Sequence, residues 1–214
     1  MQKKYEFTGE TKDWFGTTLK RIRAARDFTL NNGTKVVKGD LGGWIEKETN
    51  LSHEGSAWVS DNAKVYCNAM VCDNASVSGD ARVYGNARIY GDAKVCGNAV
   101  VYGDADVCDD ARVYGNAQVY DDARVYGDAE VYGNAWVERK SDVIWFKNIW
   151  SSGRTFTYTR SNGKWTVGCF YGTGEELIKK AYADSEVSGK CYEAIVEAVE
   201  KIYKSIEQSG KQKK

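Results

Sequence analysis

Proline is absent from the 214 residues, histidine occurs once and methionine twice. Without proline there is no polyproline linker and no proline-kinked helix, so turns must come from Gly, Asn and Asp. The lone histidine, His53, leaves little for acid–base chemistry or for a histidine-based metal site. Long apolar runs are missing as well: nothing approaches the roughly 18 residues that span a bilayer, and the start MQKKYEFTGETKDW lacks the apolar stretch of a signal peptide. Neither sign of charge is in excess, with 30 basic and 30 acidic residues. That balance points away from long nucleic acid and from membranes as partners, and a cytoplasmic protein is expected. The six cysteines, Cys67, Cys72, Cys96, Cys108, Cys169 and Cys191, form no C-x-x-C pair. They are expected as free thiols in a reducing compartment, with no metal and no cofactor.

Glycine is plentiful, and it is concentrated in one stretch. Residues 57–140 are fourteen consecutive copies of the phrase A-x-V-Y-G-[N/D], with Ala at every sixth position from Ala57 to Ala135 and Val, or Ile at Ile89, two residues later. Ala and Val face one side, the residues flanking Val face the other, and Gly-Asn or Gly-Asp turns a corner at positive φ. Three hexads make a triangular coil, and coils stack at about 4.8 Å.

The phrases Val83 to Arg88 and Ile89 to Lys94 resemble the hexapeptide repeat of the left-handed parallel β-helix superfamily, which includes many acyltransferases. That resemblance implies left-handed coiling and, commonly, a homotrimer. The expected fold class is therefore mainly β: a left-handed parallel β-helix over 57–140, preceded by strands and a cap over 1–56 and followed by a small C-terminal α+β domain over 141–209 and a disordered tail, 210–214.

Stacking residues one coil apart sorts the outward side chains into three faces. One carries a column of Tyr66, Tyr84, Tyr102 and Tyr120 beside Lys64, Arg82, Val100, Gln118 and Trp136. Tyr66, Tyr84, Tyr102, Tyr120, Val100 and Trp136 are the expected homotrimer interface; the bland reading is rings that stabilise the coil by stacking on one another. The second face alternates Arg88, Asp106, Arg124 and Asp142 below Met70, which reads as a ladder of opposite charges. The third, with Trp58, Ser76, Lys94, Arg112 and Glu130 beside Ser60, Ser78, Cys96, Tyr114 and Tyr132, reads as solvated. Acids at the corners, such as Asp73 and Asp109, read as Asx turns in preference to a calcium site.

Ahead of the array, 5–7 and 18–28 are strand candidates, the second with the basic run Lys20, Arg21, Arg23 and Arg26; Leu19 and Ile22 are out of phase with a period of two, so a short helix over part of 18–28 is the alternative. Asn31-Asn32-Gly33 marks a turn, 34–37 a strand, and the Gly-rich 38–45 around Trp44 an aromatic lid on the first coil. After the array, 143–150, 155–160 and 164–171 read as a three-strand meander with turns at Ser151-Ser152-Gly153 and Ser161-Asn162-Gly163. A short helix capped by Thr173 and a final amphipathic helix after Ser188-Gly189 follow. The segments 142–148, 167–173 and 38–45 are similar to parts of phage and prophage proteins of unassigned function, which implies a phage origin and the host cytoplasm.

Two candidate sites follow. Arg154, Arg160, Lys164, Trp165 and Tyr171, beside a helix N-terminus at Thr173, form the residue set for a nucleotide or other anionic small molecule. His53 is the only candidate catalytic base, and only for an acyltransferase. It falls in the Val register of an irregular hexad, 51–56, and the array has no inserted loop to wall an active site. The expected function is a non-enzymatic, phage-type binding protein on a trimeric scaffold, an inhibitor of a host protein or a sponge for a host defence signalling nucleotide. An acyltransferase and a structural spacer are the alternatives.

Overall fold

The computed structural model describes residues 3–150 and 153–211. Each hexad forms one two-residue strand, for example Arg82–Val83, Arg88–Ile89 and Lys94–Val95, and successive strands enter three different parallel sheets. Arg82 lies between Lys64 and Val100, Arg88 between Met70 and Asp106, and Lys94 between Ser76 and Arg112. The chain is thus a three-faced parallel β-solenoid in the register that the period requires. The Ala and Val columns are shut from solvent along its whole length, and burying each Val contributes about 1.5–3 kcal/mol.

Corners need a left-handed residue. Glycine supplies it at Gly85, Gly97 and Gly103, while Asp73, Asp109 and Asp121 take the same positive φ elsewhere. The carboxylates of Asp73 and Asp109 accept the N–H groups of Gly91 and Gly127, each one coil on, at 3.0 Å. Side-chain ladders reinforce the corners, as where Asn68 donates to Asn86 and Asn86 to Asp104. These corner acids are thus occupied within the fold, and among the described residues no cluster suited to a metal ion occurs.

Every rung bonds in one direction. Trp58 N–H donates to Ala75 O at 3.0 Å, Arg82 to Ala99 at 2.9 Å and Gln118 to Ala135 at 2.8 Å. The first coil therefore has spare carbonyls and the last has spare N–H groups, and each must be satisfied.

Donors close the carbonyl end. Strands β1 (Tyr5–Trp14) and β2 (Thr17–Ala24) form an antiparallel hairpin. A small second hairpin, β3 (Phe28–Thr29) and β4 (Lys35–Val36), spans the Asn31-Asn32-Gly33 turn as expected. Next comes β5 (Leu41–Ile45), which pairs with β2 on one side and with the solenoid on the other. The expected Trp44 lid is instead the solenoid's first rung: Trp44 lies over Lys64 and Ile45 over Val65. Leu51, and not His53, stacks on Val71, because the first coil carries extra residues after Leu51 that push His53 into a loop. Lys4 Nζ donates to Glu54 O at 3.2 Å and the Tyr5 hydroxyl to Leu51 O at 2.9 Å; from within the first coil the Asn50 amide donates down to Ala69 O at 2.7 Å and Cys67 O at 3.1 Å.

Acceptors close the other end, and the C-terminal domain supplies them. Thr157 Oγ1 accepts the Glu130 N–H at 2.9 Å and Ser161 Oγ the Trp136 N–H at 2.8 Å, while Asp142 Oδ2 accepts those of Glu138 and Arg139. The meander has four strands, not three: Val143–Lys147, Thr155–Thr159, Lys164–Val167 and Phe170–Gly172. Gly168, at φ 57°, turns the chain inside what reads as one unbroken strand. Helix α1 (Gly174–Asp184) and helix α2 (Glu186–Lys211) cover one face. Phe156, Trp165, Leu177, Tyr192, Val196 and Tyr203 form the core between them. α2 starts ahead of Ser188-Gly189 because Ser185 Oγ accepts the Ser188 N–H at 3.1 Å and Ser185 O the Gly189 N–H at 2.9 Å; Gly189 then lies against the Tyr182 ring, where a Cβ would collide. The helix also runs through residues 210 and 211 of the expected tail; 212–214, like Ser151 and Ser152 of the expected turn, lie outside the described residues.

Candidate functional site

The third face is not solvated along its length. Trp58 at its upper end is buried under Phe28, whose ring centroid lies 5.2 Å away. At its lower end Tyr132 stacks on Tyr114 at 4.5 Å and meets Tyr171 of the meander edge-on at 4.8 Å. The C-terminal domain docks here, and it leaves a cleft between the face and the turn joining the last two meander strands.

That cleft, of about 580 Å³, is lined by Lys94, Cys96, Arg112, Tyr114, Glu130 and the Gly168–Cys169 turn. A second hollow of about 330 Å³ shares Gly168 and Cys169 and adds Arg154, Phe170, Lys180 and Asp184. Cations thus stand on both hollows at this turn: Lys94 and Arg112 line the cleft from the solenoid, and Arg154 and Lys180 line the second hollow, which the C-terminal domain forms by itself. Of the two acids, Glu130 is already engaged, 3.3 Å from Arg112 and accepting from the Tyr114 hydroxyl at 3.3 Å. Burial, then Glu130, raises the Tyr114 phenol far above its ordinary pKa, so it stays a donor. Burial also raises the Cys96 thiol, against the opposing pull of Arg112 and Lys94. A neutral thiol, a phenol and cationic walls suit a ligand with an anionic group and an apolar or aromatic part.

The six residues expected to bind such a ligand do not converge. Arg154 lines the cleft's second hollow. Arg160 lies in a different one, 3.7 Å from Asp142 and with its Cζ 5.8 Å from the Tyr203 ring. Trp165 is wholly buried in the domain core, a correction to its place on a binding surface: the alternation of its strand turns it inward. Tyr171 packs on Tyr132 and takes a hydrogen bond from Asn162. At Thr173 the helix N-terminus is closed by a capping box, since the Glu176 carboxylate accepts the Thr173 N–H at 2.7 Å and fills the place of a phosphate. Lys164 pairs along the strand edge opposite Thr159. Lys94, Arg112 and Lys180 were missed. For Lys94 and Arg112 the signal was the change from Ser60 and Ser78 to Tyr114 and Tyr132 down the third face, a widening of side chains toward the end where another module packs.

The tyrosine column is stacked within one chain. Centroids are 5.0, 5.1 and 5.2 Å apart from Tyr66 to Tyr120, with planes within 12° of parallel, and Val100 is only 6% exposed without any partner. Trp136, by contrast, is 56% exposed. On the second face Arg88 holds Asp106 through two bonds of 2.8 and 2.9 Å. The expected ladder stops there: Arg124 turns to Tyr90 and Cys108, and Asp142 has left the column to cap the last coil. His53 is committed to the N-terminal cap. Its Nδ1 accepts the Lys4 N–H at 3.2 Å, its ring stacks on Tyr5 at 4.3 Å, and its Nε2 is buried.

Residues 81–94, 105–121 and 117–131 match a family model described as the YdcK beta solenoid repeat. The match lies within the array and makes the chain similar to that repeat in architecture. No curated protein matches the chain.

Proposed function

We propose that the chain is a binding protein that captures an anionic small molecule in the cleft between solenoid and C-terminal domain. The observation that carries this reading is the cleft with Lys94 and Arg112, built jointly by the two modules, next to a second hollow with Arg154 and Lys180 across the shared Gly168–Cys169 turn. Its most specific form draws on the resemblance of the flanking segments to phage proteins: a sponge for a host defence signalling nucleotide, acting in the host cytoplasm on a left-handed coil. This reading does not require the homotrimer, because intrachain stacking already accounts for the tyrosine column.

An acyltransferase finds less support. The only histidine stacks on Tyr5 with its Nε2 shut from solvent, so no substrate reaches it as the cap is built. A spacer would not need cations gathered at a cleft.

Calorimetric titration of the full chain with a panel of linear and cyclic nucleotides tests the proposal. Binding is expected for at least one, and Lys94→Ala or Arg154→Ala should weaken it roughly tenfold or more, the scale of a hydrogen bond to a charged group. No heat with any nucleotide would sink the sponge reading.

A further inference from the structure

The tyrosine column ends differently at its two ends. At the top, burial chiefly raises the Tyr66 phenol's pKa, and Lys64, in the rung beside it, holds its Nζ 4.6 Å from the ring of Trp14 at the end of β1. At the foot, Tyr102 covers one face of Tyr120. The residue one coil on is Glu138, since Val119 pairs with Val137. No ring continues the stack there. A hollow of about 380 Å³ opens instead, lined by Tyr120, Trp136, Glu138, Arg139, Asp142, Arg160 and Ser161.

We propose that this hollow binds a planar, amine-bearing heteroaromatic ring, as a nucleoside presents, which takes the next place in the tyrosine stack. Two aromatic side chains frame the place: the uncovered face of Tyr120, and Trp136, which is exposed while its backbone is anchored by the 2.8 Å bond to Ser161. The coil repeat sets the room, because the rings above are already spaced at 5.0–5.2 Å. Charge selects the ligand's character. Arg139 and Arg160 are balanced by Glu138 and Asp142, so the hollow offers no net attraction to a phosphate. Asp142 is spent on the N–H groups of Glu138 and Arg139 and on Arg160. Glu138 makes only a 3.5 Å contact with Arg139 and keeps its side chain 44% exposed, which leaves an acceptor for an exocyclic amine. This site is separate from the anionic cleft and does not depend on it.

The experiment is calorimetric titration of the full chain with adenosine, inosine and ribose 5-phosphate. Adenosine should bind. Inosine, which lacks the exocyclic amine, should bind more weakly, and equal affinity would overturn the role of Glu138. Tyr120→Ala and Trp136→Ala should each weaken adenosine roughly 5- to 150-fold, the worth of a base–aromatic stack, whereas Tyr120→Phe should retain it. Should Tyr120→Ala lose its β circular-dichroism signal, Trp136→Ala, at an exposed position, decides. Absence of adenosine binding to the wild-type chain, or unchanged affinity in Trp136→Ala, overturns the proposal. Arg112→Ala should reduce nucleotide binding in the cleft and leave adenosine untouched. Ribose 5-phosphate should give no signal that depends on Tyr120, so failure at one site is distinguishable from failure at the other.

Discussion

The two ends of the solenoid face opposite chemical problems. The first coil has carbonyls to satisfy, and Lys4 and Tyr5 bring donors, while the Asn50 amide gives Ala69 O of the next coil the donor that the Asn50 backbone N–H spends on Lys47 O; the last has N–H groups, and Thr157, Ser161 and Asp142 bring acceptors. The donors arrive on long or amide side chains from a hairpin and a loop, the acceptors on short side chains from a separate folded domain. A repeat supplies its own partners everywhere except where it stops, so the non-repeating parts of the chain are specified by the polarity of the rung each one meets.

The severest way to break this comparison is to remove one end. Ending the chain at Lys140 uncovers the last coil's N–H groups and the Tyr132 ring that Tyr171 covers. The truncated solenoid should self-associate, and sedimentation velocity should show species larger than those the full chain forms. Removing a single group at the opposite end should cost less. Asn50→Ala leaves Ala69 O, Cys67 O and the Lys47 N–H without their side-chain partner, and urea denaturation should show a loss of about 3 kcal/mol or more. A matched pair then compares the ends directly. Thr157→Val strands one N–H, whereas Tyr5→Phe takes one hydroxyl from Leu51 O and from Glu48 O, which keeps the Leu51 N–H; carbonyls tolerate a lost donor better than an N–H a lost acceptor, so about 1–3 kcal/mol is expected for the first and less for the second.

The smallest effect separates the ends by pH. Burial holds His53 below the usual histidine pKa, with Lys3 and Lys4 adding to the depression and Glu48 opposing it. The unfolded chain takes up the proton first as the solution is acidified. The cap's stability is therefore complete above about pH 6.5 and is lost as pH falls from there toward the lowered folded value. Denaturation midpoints measured from pH 7.5 to 5 should fall more steeply for the wild type than for His53→Gln. The hydroxyl caps Thr157 and Ser161 contribute no such slope.

The same contrast explains what could be read in advance. Ala, Val, Gly and Asn at a six-residue period set the coil, and the pairings of Lys64, Arg82 and Val100 follow from arithmetic alone. At the first coil that arithmetic fails. Trp44, Ile45 and Leu51 fill rung positions, but Gly43 and Thr49 stand where Ala would, and the longer loop holding His53 shifts the register. The cleft was harder still. Lys94 and Arg112 look like any solvated rung until a second module lies over them, and docking of one module on another leaves no period in either. Trp165 shows the reverse: its chemistry suited a ligand surface, yet its strand phase placed it in the core.

The one-way bonding of the rungs also makes the solenoid a ruler with a dial. Inserting a whole coil of three hexads would move the N-terminal hairpin away from the C-terminal module by about 4.8 Å with little change of heading, and would add one ring to the tyrosine column. Inserting a single hexad would instead advance the chain by one face. The C-terminal module would then dock on a neighbouring side, and the cleft would be rebuilt from different rungs. Reach and aim thus follow from the number and the phase of inserted hexads, and either insertion keeps the rung-to-rung pattern of N–H to carbonyl bonds.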